Sequence, residues 1–214
     1  LGDTIEKIAK EKAAIWRPGI PILIRDPESV SVRNAMREEA ISAVFYQPYS
    51  YTFMEEAGDL AEEFCKMLNI PFIRRSINWP ARMQLVDGEP KLLLEAAHNP
   101  SGMVRAIPEI ARLLPTRWSL LMGTSPQTDM DGFLNPLYEL IKTRPPMEII
   151  TTEPQNGRYP GVVNPMPFDG IDHIPNPGKA YDKLSKDCDL ILVIGSLYLC
   201  GNIMQHLEID TDIS

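Results

Sequence analysis

Cysteine is scarce in these 214 residues: Cys65, Cys188 and Cys200 are the whole complement. Thiols so few and so scattered make neither a disulfide framework nor a zinc site, and they read as reduced side chains in or near a core. No apolar run is long enough to cross a bilayer, and the chain does not open on the charged-then-apolar pattern of a secretory signal, so no membrane partner and a cytoplasmic location are expected. Positive charge is in deficit as well. With 21 Lys and Arg against 29 Asp and Glu, the net charge of -8 disfavours a nucleic-acid partner. There is no internal repeat and no low-complexity tract. A G-x-x-x-x-G-K-[ST] phosphate loop is also missing, as is an initiator methionine. The chain opens directly on a helix, capped by Asp3 or Thr4 with Ile5, Ile8 and Ala9 on one face, so a preceding segment is expected.

What is present is an ordinary globular composition, 44% hydrophobic, ample for a core. The most informative stretch is KLLLEAAHNPSGMVRAIPEIARLL, residues 91–114. Leu92 to Leu94 form the all-apolar run of a strand covered on both faces. Glu95 and His98 come next, where that strand should end, with Asn99 placed to cap a helix and Pro100 at its first position. Met103, Ile107, Ile110, Ala111 and Leu114 then recur at helical spacing. In an open parallel sheet, ligands collect beyond the carboxyl ends of strands and beside helix N-termini, so Glu95 and His98 are candidates for function. Asn-Pro is also a common helix start, and a lone histidine beside it is often only a satisfied hydrogen-bonding group.

Elsewhere the pattern predicts strands at 20–24 and 44–46, and helices at 27–40 and 54–68. The second of these helices is acidic, with Ala57, Leu60, Ala61, Phe64 and Leu68 facing inward. A boundary is expected near Trp79 to Arg82. Beyond it, strands at 119–122, 148–152 and 190–194 alternate with helices at 131–142 and 179–186, and Gly195-Ser196 heads a last helix. That alternation predicts a mostly parallel sheet with helices on its faces. The 20 prolines cluster in the connections, especially from Asn164 to Pro177.

Strand-LEAAHNP-helix resembles the LDGAHNP motif of the folylpolyglutamate synthase and dihydrofolate synthase family, within the Mur ligase superfamily. Three further stretches agree with it in order. LGDTIEKIAKEKAAIWRPG, residues 1–19, resembles that family's LGxTxxxIAxEKAGIxKxG segment. WPARMQLV, from Trp79, resembles its PGR segment, and DLILVIGSLYLCGNI, from Asp189, resembles its closing LVTGSLYLVGE signature. The resemblance implies a Rossmann-like Mur ligase C-terminal domain at 81–214, preceded at 1–80 by the tail of the central P-loop ATPase domain. The ATPase portion that carries the TGTNGKGS loop would then be supplied in cis or in trans.

The same resemblance assigns roles. Lys12 matches the EKAG lysine, which in Mur-type ligases is carbamylated and helps bind a second magnesium ion; a carbamate offers the hard anionic oxygens that magnesium prefers. On the residues alone, Lys12 is one of three surface lysines with Lys7 and Lys10. Arg82 matches the arginine of PGR, a nucleotide contact at the hinge, and could equally form a hinge salt bridge. Glu95 stands where the family has an Asp that holds the ATP ribose. His98 and Ser196 lie where the family contacts nucleotide or incoming amino acid, His98 also as a candidate catalytic group. Arg158, in EPQNGRYPG, falls where the family has TEP-x-NPRA. Ala14 and Ala81 replace glycines, the helix at 54–68 lacks the family's nucleotide-contacting Asn, and Asp129-Met130-Asp131 lacks the lysine of DKD.

The activity that the resemblance implies is ATP- and Mg2+-dependent addition of L-glutamate to a folate or dihydropteroate carboxylate through an acyl phosphate, the nucleotide lying between two domains that close on it. The alternatives are another Mur-superfamily amide ligase, or a noncatalytic module that keeps the fold and binds nucleotide.

Overall fold

The computed structural model describes residues 2–75, 77, 79–126, 128–157 and 171–210. It comprises two compact units, Leu1–Arg75 and Ser76–Ser214. Arg158 and residues 164–170 of the proline-rich 164–177 connection lie outside the described residues.

The first unit runs α1 (Ile5–Ala13), β1 (Leu23–Arg25), α2 (Val30–Glu39), β2 (Val44–Tyr46) and α3 (Phe53–Met67). Thr4 caps α1, its hydroxyl accepting the Lys7 N–H at 3.3 Å. The buried positions of α1 and α2 are Ala9, Ala13, Val32 and Ala35, while Ile5, which shares the apolar face of α1 with Ala9, stays 70% exposed in the first turn. The strands β1 and β2 pair in parallel, Leu23 opposite Val44 and Arg25 opposite Tyr46. Strand β1 starts later than the apolar run suggested, as befits a run containing Pro21, which has no N–H to give to a ladder. Helix α2 also starts late, because the Asp26 carboxylate accepts the Glu28 N–H at 2.8 Å and Glu28 takes a φ of 64°, making a turn where a helix was expected.

In helix α3 the inward stripe expected from the spacing is not the buried one. Ala57, Ala61 and Leu68 are exposed and Leu60 and Phe64 half-buried, whereas the buried residue is Asp59. Its carboxylate accepts the Tyr49 and Ser50 N–H groups at 3.1 and 2.9 Å and the Arg74 guanidinium at 2.6 Å, so the donors that meet it make burial possible. Burial alone would raise this carboxyl; the Arg74 guanidinium and the two amides outweigh it and hold the group at about 2. A depressed carboxyl contributes stability above its ordinary value of 3.8 and loses it as pH falls towards 2. Acid titration of the first unit should show this loss across that interval, and Asp59→Asn should flatten it. An unchanged acid limb in the variant would show that the clamp does not govern it.

Among the described residues, the second unit holds a six-stranded sheet of order β3-β4-β8-β5-β6-β7. Its strands are β3 (Gln84–Val86), β4 (Lys91–Glu95), β5 (Trp118–Met122), β6 (Ile149–Thr151), β7 (Asp172–His173) and β8 (Leu190–Ile194). All neighbours are parallel except β3, which runs antiparallel to β4. The helices are α4 (Pro100–Leu113), α5 (Met130–Thr143), α6 (Pro177–Leu184) and α7 (Leu197–His206). Side-chain alternation divides the interior into two layers. Leu93, Leu120, Met122, Leu190, Leu192 and Ile194 pack with α4 and α5, and Leu92, Leu94, Leu121, Ile191 and Val193 with α6 and α7. Strands β4, β5 and β8 are therefore apolar on both faces, as their sequences predicted. The short edge strands β3 and β7 were not expected; two or three residues carry too little periodicity to read.

Strand β8 lies between β4 and β5, and the helices that succeed those three strands diverge to opposite faces. This is the switch of winding at which an open α/β sheet forms its ligand crevice.

Candidate functional site

At the carboxyl end of β4 the chain brings together two of the predicted residues, Arg82 and Glu95. Glu95 closes the strand and is 5% exposed. Opposite it runs the Trp79–Gln84 segment, held to the strand exit by an Ala96 N–H to Ala81 O hydrogen bond of 2.9 Å. Ala81 and Met83 take φ values of 56° and 47°. The Gln84 side chain fixes this turn by accepting the Ala81 N–H at 2.8 Å. The turn points the Met83 N–H at Glu95, whose Oε2 accepts it at 2.9 Å, and leaves the Arg82 guanidinium 3.8 Å from Oε1. The left-handed conformation of Ala81 is one in which glycine, the family's residue here, would sit at no cost, and alanine bears about 1 kcal/mol of strain.

The electrostatics of the pair are asymmetric. Burial pushes the Glu95 carboxyl up, and the Met83 N–H and the Arg82 charge pull it part of the way back. Cys200 of α7 is fully buried, and burial, with Glu95 close by, pushes its thiol up to about 12. It is an inert core thiol, as its sequence context suggested.

His98 is exposed at the entrance to α4, and its Nδ1 lies 2.9 Å from Ala96 O. A carbonyl can only accept, so Nδ1 carries the proton and Nε2 is the lone-pair nitrogen of the neutral ring. Asn99 caps α4 by accepting the Gly102 N–H at 2.8 Å, and Pro100 occupies the first helical position, as expected. Ser196 is 2% exposed and caps α7, its hydroxyl accepting the Tyr198 N–H at 3.2 Å. It heads α7 at the end of β8, with the hydroxyl engaged in the cap. Lys12 belongs to the first unit, exposed in the last turn of α1. Asp129 caps α5 by accepting the Gly132 N–H at 2.9 Å.

Sequence reasoning missed the bare backbone at this edge. A Cβ on Gly195, whose φ is 111°, would lie 2.7 Å from Gly123 O, and one on Gly123 would lie 2.5 Å from Thr152 O. The ends of β8, β5 and β6 thus converge through two glycines. The Met-Gly-Thr at the end of the 119–122 run was the available signal for Gly123. Among the described residues no group of three or more His, Cys, Asp or Glu could hold a metal, and no helix is long and apolar enough to cross a membrane.

No family model matches the chain. The folylpolyglutamate synthase of Lacticaseibacillus casei is 21% identical over 97% of this chain and 58% of its own length. A dihydrofolate synthase/folylpolyglutamate synthase of Bacillus subtilis is 29% identical over 48% of this chain and 34% of its own. Among solved structures, the bifunctional folylpolyglutamate synthase/dihydrofolate synthase of Yersinia pestis superposes with a TM-score of 0.76 at 19% identity, over 98% of this chain and 58% of that one. This chain has the folylpolyglutamate synthase fold. The Mycobacterium tuberculosis folylpolyglutamate synthase, solved with ADP and AMPPCP, agrees at a TM-score of 0.72 and 17% identity, over 99% of this chain and 61% of that one. The Yersinia pestis enzyme has also been solved with AMPPNP and Mn, and a bifunctional folylpolyglutamate synthase/dihydrofolate synthase with Mn, AMPPNP and L-glutamate bound. The resemblance read from four motifs and the mostly parallel α/β fold it implied are both borne out, and the relatives are ligases. The chain spans about 58% of the length of the folylpolyglutamate synthases that it matches over nearly all of its own residues.

Proposed function

We propose that this chain is part of an ATP-dependent ligase that joins L-glutamate to a folate or dihydropteroate carboxylate through an acyl phosphate. Residues 81–214 would be its C-terminal domain, and 1–80 the end of its central ATPase domain. The observation that carries the reading is the juxtaposition of Arg82 and Glu95 at the carboxyl end of β4. A guanidinium and a carboxylate at that edge suit a ligand bearing both phosphates and ribose hydroxyls. Arg82 would hold the nucleotide. Glu95 would accept from the ribose hydroxyls, with His98 Nε2 and the Ser196 cap lining the same edge. In the first unit Lys12, as a carbamate, would supply oxygen to magnesium. The described residues make no metal cluster, so Lys12 alone does not complete a metal site. Bound ATP supplies the phosphoryl group that activates the carboxylate. This chain's residues bind and orient the nucleotide, and the remaining ATPase portion would act in cis or in trans.

The test is incorporation of labelled glutamate into dihydropteroate and into tetrahydrofolate, coupled to ATP consumption, in the complete enzyme. Lys12→Ala should lower kcat at least about 100-fold, the scale of losing one charge-stabilising group. Ligation that survives Lys12→Ala and Glu95→Ala undiminished would sink the assignment. Transfer to a muropeptide precursor instead would identify another Mur-type acceptor.

One observation favours the noncatalytic reading. Glu95 is sequestered by Met83 and Arg82, so it must exchange those contacts to meet a ribose. AMPPNP binding without any ligation would support that view.

A further inference from the structure

The β6–β7 edge of the sheet holds a hydrogen-bonded chain of side chains separate from the Arg82–Glu95 site. His173 of β7 stands with Nδ1 2.9 Å from the Thr151 hydroxyl of β6 and Nε2 3.4 Å from Glu153 Oε1, in the loop that leaves β6. The Thr151 hydroxyl has a second acceptor in Asp172 O at 3.5 Å. Thr151 is buried, while the His173 and Glu153 side chains are 26% and 32% exposed, so the ring can exchange its proton with solvent.

The geometry points to His173 as a protonation-dependent positioning residue for the 153–157 loop. A carboxylate cannot donate, so Nε2 carries the hydrogen towards Glu153 in both states of the ring. In the neutral ring Nδ1 accepts from the Thr151 hydroxyl. When Nδ1 takes a proton from solvent, it donates to Thr151 Oγ1, and that hydroxyl turns to donate to Asp172 O. Each state is satisfied, but they are not equally strong: in the charged state the bond to Glu153 becomes a charge-assisted one.

The charged groups around the ring fit this role. Glu153 faces it from the loop. The Asp172 carboxylate pairs with Lys183 of α6, which also lies 3.4 Å from Glu148 ahead of β6, so these charges are already paired with one another. The loop has its other anchor on α7: Gln155 and Asn202 exchange hydrogen bonds of 2.8 and 3.3 Å, and a Cβ on Gly157 would lie 3.4 Å from the Tyr198 ring. His173 therefore controls the proximal end of a loop whose distal end is fixed on the helix capped by Ser196.

The test is amide hydrogen exchange on the full chain at about pH 8 and about pH 5.5, corrected for intrinsic rates. The amides to monitor are Ile174, which donates to Thr151 O at 2.9 Å, and Glu153, which donates to Pro175 O at 3.3 Å. Their protection should rise about fivefold on acidification, as expected when a neutral hydrogen bond becomes a charged one. His173→Gln, which can still donate to Glu153 but cannot titrate, should abolish the rise, and Glu153→Gln should reduce it. An equal rise in His173→Gln overturns the proposal. Nitrogen NMR of the unmodified chain gives a test that does not depend on any variant folding: the neutral ring should be the Nε2–H tautomer, and an Nδ1–H tautomer overturns it. Neither readout needs a ligand, so both stand apart from the ligase assay.

Discussion

Replacing Gly195 by alanine will destabilise the second unit by about 4 kcal/mol, the sum of backbone strain and overpacking at one residue. Two independent faults are introduced. The φ of 111° lies where an L side chain is strained, and the new Cβ would lie 2.7 Å from Gly123 O, closer than a methyl group can approach a carbonyl oxygen. Neither strand end can retreat without breaking ladder bonds, since the Gly123 N–H donates to Ile194 O at 3.3 Å and the Thr152 N–H to Met122 O at 2.8 Å. Gly201, in α7, provides the control. A Cβ there would meet nothing within 4 Å, so Gly201→Ala should stabilise by about 0.5–1 kcal/mol through helix propensity alone. Urea unfolding of both variants, read on the second unit, checks the pair. A loss below about 1 kcal/mol for Gly195→Ala would show that the convergence of β8, β5 and β6 is not the close contact described.

The sheet interior was legible in the sequence because β4, β5 and β8 each bury both faces, and a short run of apolar residues between turn signals suits a strand covered on both sides. Asn99, Pro100 and Ser196 were legible for a similar reason: capping chemistry is local, so the residues that end one element and begin the next are read a few positions at a time. What escaped was non-local. Asp59 reads as a solvated acid on a helix, and only the loop and Arg74, which lie 9 to 15 positions away, make it the buried residue of α3. The inward stripe predicted for that helix failed on the same account, because amphipathic spacing shows which residues share a face and not whether anything covers it. At the site, Arg82 and Glu95 were named from motifs 13 positions apart. Their pairing across the β3–β4 hairpin, through two left-handed residues, was beyond any period-counting. His173 stands after a stretch whose composition offers no strand signal, so its meeting with Thr151 and Glu153 had no precursor in the sequence.

Removing the Glu95 carboxylate separates the two roles that its position suggests. In Glu95→Ala the Met83 N–H loses its acceptor and Arg82 its counter-charge, at a cost of about 2–3 kcal/mol for a largely buried group whose cationic partner is a third exposed. If Glu95 also holds a nucleotide, AMPPNP affinity should fall at least about tenfold, and Arg82→Ala should do the same. A stability loss with unchanged affinity would make Glu95 purely a support for the Ala81–Met83 turn and would favour the noncatalytic reading. Acidity gives a second handle. Burial raises the folded-state carboxyl above its ordinary 4.5, so at neutral pH the folded state carries a desolvated charge that the unfolded chain does not. Stability must then rise as pH falls from above the raised value and level off below 4.5, where both states are protonated. Glu95→Gln, which keeps an acceptor for Met83 but has no charge to desolvate, should lack that rise. The difference in unfolding free energy between parent and Glu95→Gln, tracked downward from neutral pH, should therefore move in favour of the parent. A flat difference would mean that Arg82 and the Met83 amide fully offset the burial of Glu95, leaving the carboxylate ionised in place.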